Sequence, residues 1–120
     1  MRKNIVKKKS YDFALGVIKL CKKLKQEKHF EISSQLIRSG TSIGANIEEA
    51  LAGQSKNDFI AKMTIASKEA RETNYWLRLI IDSGMIEEKL IQPLINESEE
   101  LIKILTSIVK TSSSKLPLRH

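Results

Sequence analysis

An all-α fold, an antiparallel up-down-up-down four-helix bundle, is what the sequence predicts, and three observations predict it. Apolar residues recur at spacings of three and four along four long stretches and never in strict alternation. Only a few residues separate one stretch from the next, as in a bundle of antiparallel neighbours. Five Gly and two Pro in 120 residues leave few places for the chain to turn.

The first helix is expected from about Ser10, read as its N-cap, to about Lys25. Phe13, Val17, Leu20 and Leu24 fall on one line, broadened by Ala14, Ile18 and Cys21, with Lys19 and Lys23 roughly opposite. The second is expected over 31–52, where Ile32, Leu36, Ile43, Ile47 and Ala50 form the stripe. Gly40 lies within that stripe and allows close approach of a neighbour. Gly40 and Gly44 each cost about 1 kcal/mol of helix propensity, so packing must compensate. Gly53 ends this helix, and Ser55 caps the next with Asp58 near its positive end.

The third helix, over 56–82, carries Phe59, Met63, Ala66, Ala70, Thr73 and Leu77 on one face. Its reverse side holds Ile65, Glu69, Glu72, Trp76 and Leu79, which is apolar for a face turned to solvent. Asp82-Ser83-Gly84 is a stop signal with Gly at the expected position past the end. The fourth helix, over 87–111, reads Leu90, Leu94, Leu101, Leu105 and Ile108 beside Ile91, Ile95, Ile102 and Val109. Pro93 must sit in its first turns or kink it. Residues 1–9 are read as a basic arm and 112–120 as a frayed polar tail of one domain spanning 1–120. The predicted core includes Phe13, Val17, Leu36, Ile43, Met63, Leu77, Leu101 and Leu105.

A net charge of +7 is concentrated at one end. Residues 1–30 hold ten Lys or Arg against Asp12 and Glu27, and the rest of the chain is nearly neutral. A basic segment of this kind suits RNA or DNA first and an anionic membrane surface second. It can equally be a solvated helix face. Lys7, Lys8, Lys9, Lys19, Lys22 and Lys23 are the candidate nucleic-acid contacts. Sixteen Lys against five Arg favour phosphate attraction over bidentate base reading. No aromatic is clearly placed for base stacking.

Catalytic chemistry finds little support. His29 and His120 lack companions at ligand spacing, and no metal, phosphate-loop or dinucleotide motif occurs. Cys21 falls on a core stripe with no base nearby in sequence, as a buried structural thiol would. Adjacent carboxylates such as Glu48-Glu49 point about 100° apart on a helix. No enzyme activity, cofactor or metal is expected. With no apolar run of membrane-spanning length and no secretory signal, a cytoplasmic protein is expected, with no membrane partner.

Arg38, Ser42, Asn46 and Glu49 form one polar line beside the second helix's stripe. In an antiparallel hairpin Arg38 reaches the level of Glu69 and Glu72, Ser42 meets Ala66, and Asn46 meets Lys62. This line is read as a hydrogen-bonded seam fixing helix register rather than as a ligand site. Leu15, Ile65, Trp76 and Leu79 exceed what one bundle buries, so Ile65, Trp76 and Leu79 are assigned to an oligomer interface.

The stretch from Gln35 through Arg38, Ser39-Gly40-Thr41-Ser42-Ile43-Gly44-Ala45-Asn46 and Glu48-Glu49-Ala50 resembles a known signature. It is similar to that of the four-helix bundle proteins named for 23S rRNA intervening sequences. Asp58-Phe59-Ile60, Ile65-Ala66-Ser67-Lys68-Glu69-Ala70-Arg71-Glu72-Thr73 and Trp76-Leu77 resemble the same family's third helix. Together they extend the likeness from about Ser10 to Lys110, with Ala50 where many relatives have Gly. The resemblance implies an antiparallel bundle assembled as a ring-like homopentamer, with no catalytic residues to carry over. Some members are encoded inside insertions of the large ribosomal RNA gene. A related branch, the accessory variability determinant of diversity-generating retroelements, is a basic pentamer that binds nucleic acid and a reverse transcriptase. Nucleic acid, and for that branch a reverse transcriptase, are therefore the partners implied besides the chain itself.

Overall fold

The computed structural model describes residues 2–114, which form four α-helices: α1 Arg2–Gln26, α2 Phe30–Ala52, α3 Lys56–Ser83 and α4 Glu88–Ser114. Each helix packs on its chain neighbours and α4 closes back on α1, so α1 and α3 occupy diagonal corners, as do α2 and α4. Antiparallel order is visible in the polar contacts. Lys7 reaches Glu48 near the end of α2, while Cys21 bonds Ser33 near its start. Arg71 reaches Thr106 on α4, whereas Asn74 further along α3 reaches the earlier Ser98.

The core is the set of predicted stripes. Phe13, Val17, Leu36, Ile43, Met63, Leu77, Leu101 and Leu105 are all buried. Gly40 brings α1 and α2 together: a Cβ there would lie 2.8 Å from Val17 Cγ1 and 2.9 Å from Cγ2. Ser55 caps α3 by accepting a hydrogen bond from the Asp58 amide at 3.0 Å. Gly84 takes the left-handed conformation at φ 73° past the end of α3, where a side chain would be strained. Gly53 follows α2 in extended rather than left-handed geometry. Pro93 lies in the second turn of α4, where its missing N–H leaves the Lys89 carbonyl without a helical donor.

Two expectations at the N-terminus are corrected. Residues 2–9 are not an arm but the first two turns of α1. Val6, fully buried, extends the line of Phe13 and Val17 backwards by two turns and docks this segment. Ser10 is not a cap. It is buried in mid-helix, where its hydroxyl donates to the Lys7 carbonyl at 3.0 Å and it faces Gly44 of α2. Ile18 also departs from the expected stripe, being 37% exposed. At the other end, residues 112–114 continue α4, and the remainder of the expected tail, with His120, lies outside the described residues. Among the described residues no helix is long and apolar enough to cross a membrane.

Buried polar side chains pin successive helices. Cys21 and Ser33 exchange hydrogen bonds with each other's carbonyls between α1 and α2. Thr73 donates to Ser39 at 2.9 Å between α3 and α2, and Asn74 to Ser98 at 2.9 Å between α3 and α4. Among the described residues no buried side-chain polar atom lacks a partner. Each pin therefore resists sliding, because a shifted register would strand a buried donor or acceptor.

Candidate functional site

The polar line of α2 forms the expected seam with α3. Arg38 bridges Glu69, at 3.2 Å, and Glu72. Ser42 donates to Glu69 as well, and Trp76 Nε1 donates to Glu72 at 3.0 Å. The Trp76 hydrogen bond, followed by the Arg38 guanidinium, holds the Glu72 carboxyl below its ordinary range against the opposing effect of burial. Its bond to Glu72 raises the Arg38 pKa in turn. Two details differ from expectation. Asn46 donates to the Ser42 carbonyl of its own helix, and it is Glu49 that meets Lys62, at 2.8 Å. Arg38, Ser42, Glu69, Glu72 and Trp76 are thus tied into one network, which is the geometry of a register lock.

The basic segment separates into two populations. Successive helical residues turn by about 100°, so the Lys7-Lys8-Lys9 run splays around α1. Lys7 turns to Glu48 on α2 at 3.7 Å, Lys9 to Glu100 on α4 at 2.9 Å, and Lys8 pairs along its own helix with Asp12 at 3.1 Å. Lys23 likewise pairs with Glu27 at 3.0 Å. Among the described residues Lys19 and Lys22 have no ion-pair partner, and both are exposed. Of the six candidate lysines, then, Lys7 and Lys9 tie helices together, and Lys19 and Lys22 are in no ion pair among the described residues.

Along the outer side of α1, opposite Phe13 and Val17, run Tyr11, Leu15 and Ile18, which are 62%, 46% and 37% exposed. Lys8, Lys19 and Lys22 flank this line. The periodic pattern does not mark it as a unit, because Tyr11 belongs to no core stripe and Ile18 is spaced like a member of one. Tyr11 overhangs a shallow cleft of about 450 Å³ bordered by Asn4, Lys7, Lys8, Asp12 and Glu48.

Two further apolar surfaces lie elsewhere. On α3, Ile65 and Leu79 are exposed as expected. Trp76 is not one of them: it is half-buried, packs on the core of its own chain and is tied to Glu72. Between α1 and α4 opens a groove of about 330 Å³ floored by Leu20, Leu90 and Leu94, with Lys19, Lys23 and Glu97 at its lips. Partial burial there, reinforced by Glu100 and Asp12 and opposed by Lys9, raises the Glu97 pKa. Cys21 is buried beneath Ser33, and burial pushes its thiol pKa up. Among the described residues no three His, Cys, Asp or Glu side chains gather to hold a metal.

Comparison with known proteins adds two findings. The family model described as 23S rRNA-intervening sequence protein matches residues 2–107. The fold resembles the crystal structure of a protein with unknown function from the S23 ribosomal protein family of Bacteroides thetaiotaomicron. The two are 49% identical with a TM-score of 0.87, over 92% of this chain and 99% of the other. No curated protein matches.

Proposed function

The chain belongs to the 23S rRNA-intervening sequence protein family, and on that premise we propose that it is a non-enzymatic, homo-oligomeric scaffold that binds RNA or DNA. The observation that carries this reading is the outer face of α1, where Lys19 and Lys22 are exposed and unpaired among the described residues. Lysine ammonium groups attract phosphates without reading bases, and each one engaged releases condensed counterions. Repetition of the face around an assembly raises its effective affinity with no new contact.

Assembly uses two different surfaces. Ile65 and Leu79 flank the α2–α3 seam, and the groove floored by Leu90 and Leu94 opens on the opposite, α1–α4 side. Because the two patches are unlike and lie on opposite sides, they suit a head-to-tail contact, which closes into a ring when the rotation allows. The resemblance implies five subunits. Burying one leucine-sized side chain contributes about 1.5–3 kcal/mol, so a patch repeated at every contact is enough to hold a ring.

Four of the six lysines being held in ion pairs favours a second reading, a structural or protein-interaction module with no nucleic-acid role. Sedimentation and fluorescence anisotropy decide between them. The proposal expects an oligomer at micromolar concentration and binding to a labelled oligonucleotide at about 50 mM salt. An oligomer that binds none supports the second reading, and a monomer defeats the scaffold.

A further inference from the structure

We infer that Tyr11 is a stacking platform for an unpaired base, so that the outer face of α1 takes single-stranded nucleic acid in preference to a duplex. The inference rests on the nucleic-acid reading above and specifies its ligand. Tyr11 is the most exposed large apolar side chain among the described residues. Its ring is also uncommitted there. Tyr75 is held edge-on by Trp76 and approached by Arg78, and Phe59 lies under the Lys3 ammonium, whereas Tyr11 has no such neighbour and no hydrogen bond.

What borders Tyr11 suits a nucleotide. The Lys7 and Lys8 ammonium groups lie at the cleft with the Asn4 amide and the Asp12 and Glu48 carboxylates. An aromatic face accepts any base and the Asn4 amide can pair with a base edge, while Lys7 and Lys8, paired with Glu48 and Asp12, leave the phosphates to unpaired lysines. Further along the same face, Lys19 and Lys22 lie about 12 and 16 Å from Tyr11 at 1.5 Å per residue. Leu15 and Ile18 fill the interval with apolar surface. A strand laid along α1 therefore meets ring, apolar surface and free charge in turn. A duplex keeps its base faces stacked inside and offers Tyr11 nothing to stack on. An anionic bilayer, by contrast, presents no base to stack on the ring and no donor-bearing base edge to the two carboxylates beside it.

The test is anisotropy with one labelled 12-nucleotide RNA, free and annealed to its complement, at fixed salt. Wild type, Tyr11→Ser and Tyr11→Phe are compared, with Lys19→Ala/Lys22→Ala as the charge control. An exposed position tolerates each change. Wild type is expected to bind the single strand more tightly than the duplex. Tyr11→Ser should weaken single-strand binding about 5- to 100-fold, the effect of losing one stacked base, and leave duplex binding within about twofold. Tyr11→Phe should behave as wild type, and the lysine variant should weaken both. If Tyr11→Ser leaves single-strand binding unchanged, or weakens strand and duplex equally, the stacking platform is wrong while the nucleic-acid reading survives. Binding to neither RNA, with or without capture by phosphatidylserine vesicles, overturns both.

Discussion

Replacing Gly40 by alanine sets two physical effects of known sign against each other. The substitution improves helix propensity by about 1 kcal/mol. It also places a methyl group 2.8 and 2.9 Å from the two γ-carbons of Val17, and 3.3 Å from its Cβ. Val17 cannot swing clear, because a β-branched side chain in a helix has essentially one rotamer and this one is fully buried. Either α1 moves off α2 or the core repacks, and overpacking of this kind costs about 1–3 kcal/mol. The net expectation for Gly40→Ala is a loss of up to about 2 kcal/mol. Gly44, one turn on, is the control. A Cβ there lies 3.3 Å from Ser10 Oγ and 3.6 Å from its Cβ, so a slight shift relieves the contact and propensity prevails. Gly44→Ala should equal or exceed wild type in stability. Urea denaturation at one fixed protein concentration measures both. In a Gly40→Ala background, Val17→Ala should also cost less than it does alone, because the smaller side chain makes room. Equal stability of the two alanine variants would refute the close-approach argument.

Three more outcomes follow from particular residues. Leu79→Glu on α3, and separately Leu90→Glu on the α1–α4 groove, should lower the sedimenting mass while leaving helical circular dichroism intact; wild-type mass in both variants removes the head-to-tail contact. Cys21 should react with a thiol reagent far more slowly in the native protein than in denaturant, since it is buried and its raised pKa disfavours the thiolate; a rapid native reaction contradicts this placement. Because the fold raises the Glu97 pKa, ionising this group costs stability that is absent below the carboxylate range and develops as pH rises through it. Glu97→Gln should therefore raise Tm at pH 7 and lose that advantage near pH 3, whereas a lower Tm at pH 7 would show that the charge is favourable.

The sequence made the bundle legible because its information is periodic. Stripes such as Leu36–Ile43–Ile47 and Met63–Ala70–Leu77 state both the helix and its buried side. The Arg38 seam was readable for the same reason, since a hairpin turning at Gly53–Ser55 fixes which levels meet. Elsewhere local and tertiary signals competed. Ser10 has the chemistry of a cap, but Val6, seven residues before Phe13, carries the helix through it. Trp76 lies on the line of Ile65 and Leu79, yet its length lets it fold back onto Glu72 and the core. Asn74 and Ser98 gave no sequence signal, because a buried polar pair is defined only once two helices meet. The lysine run looked like one patch, and helical rotation divided it among three directions.

The central claim is that Lys19 and Lys22 on the outer face of α1 contact phosphates. Its most direct test is the salt dependence of RNA binding in wild type and in Lys19→Ala/Lys22→Ala. Single-strand binding loses a log–log slope of about 0.7 for each phosphate contact removed, so the double variant should bind more weakly with a slope shallower by about 1.4 per engaged subunit. An unchanged affinity and slope, in an assembly of unchanged size, would contradict the account.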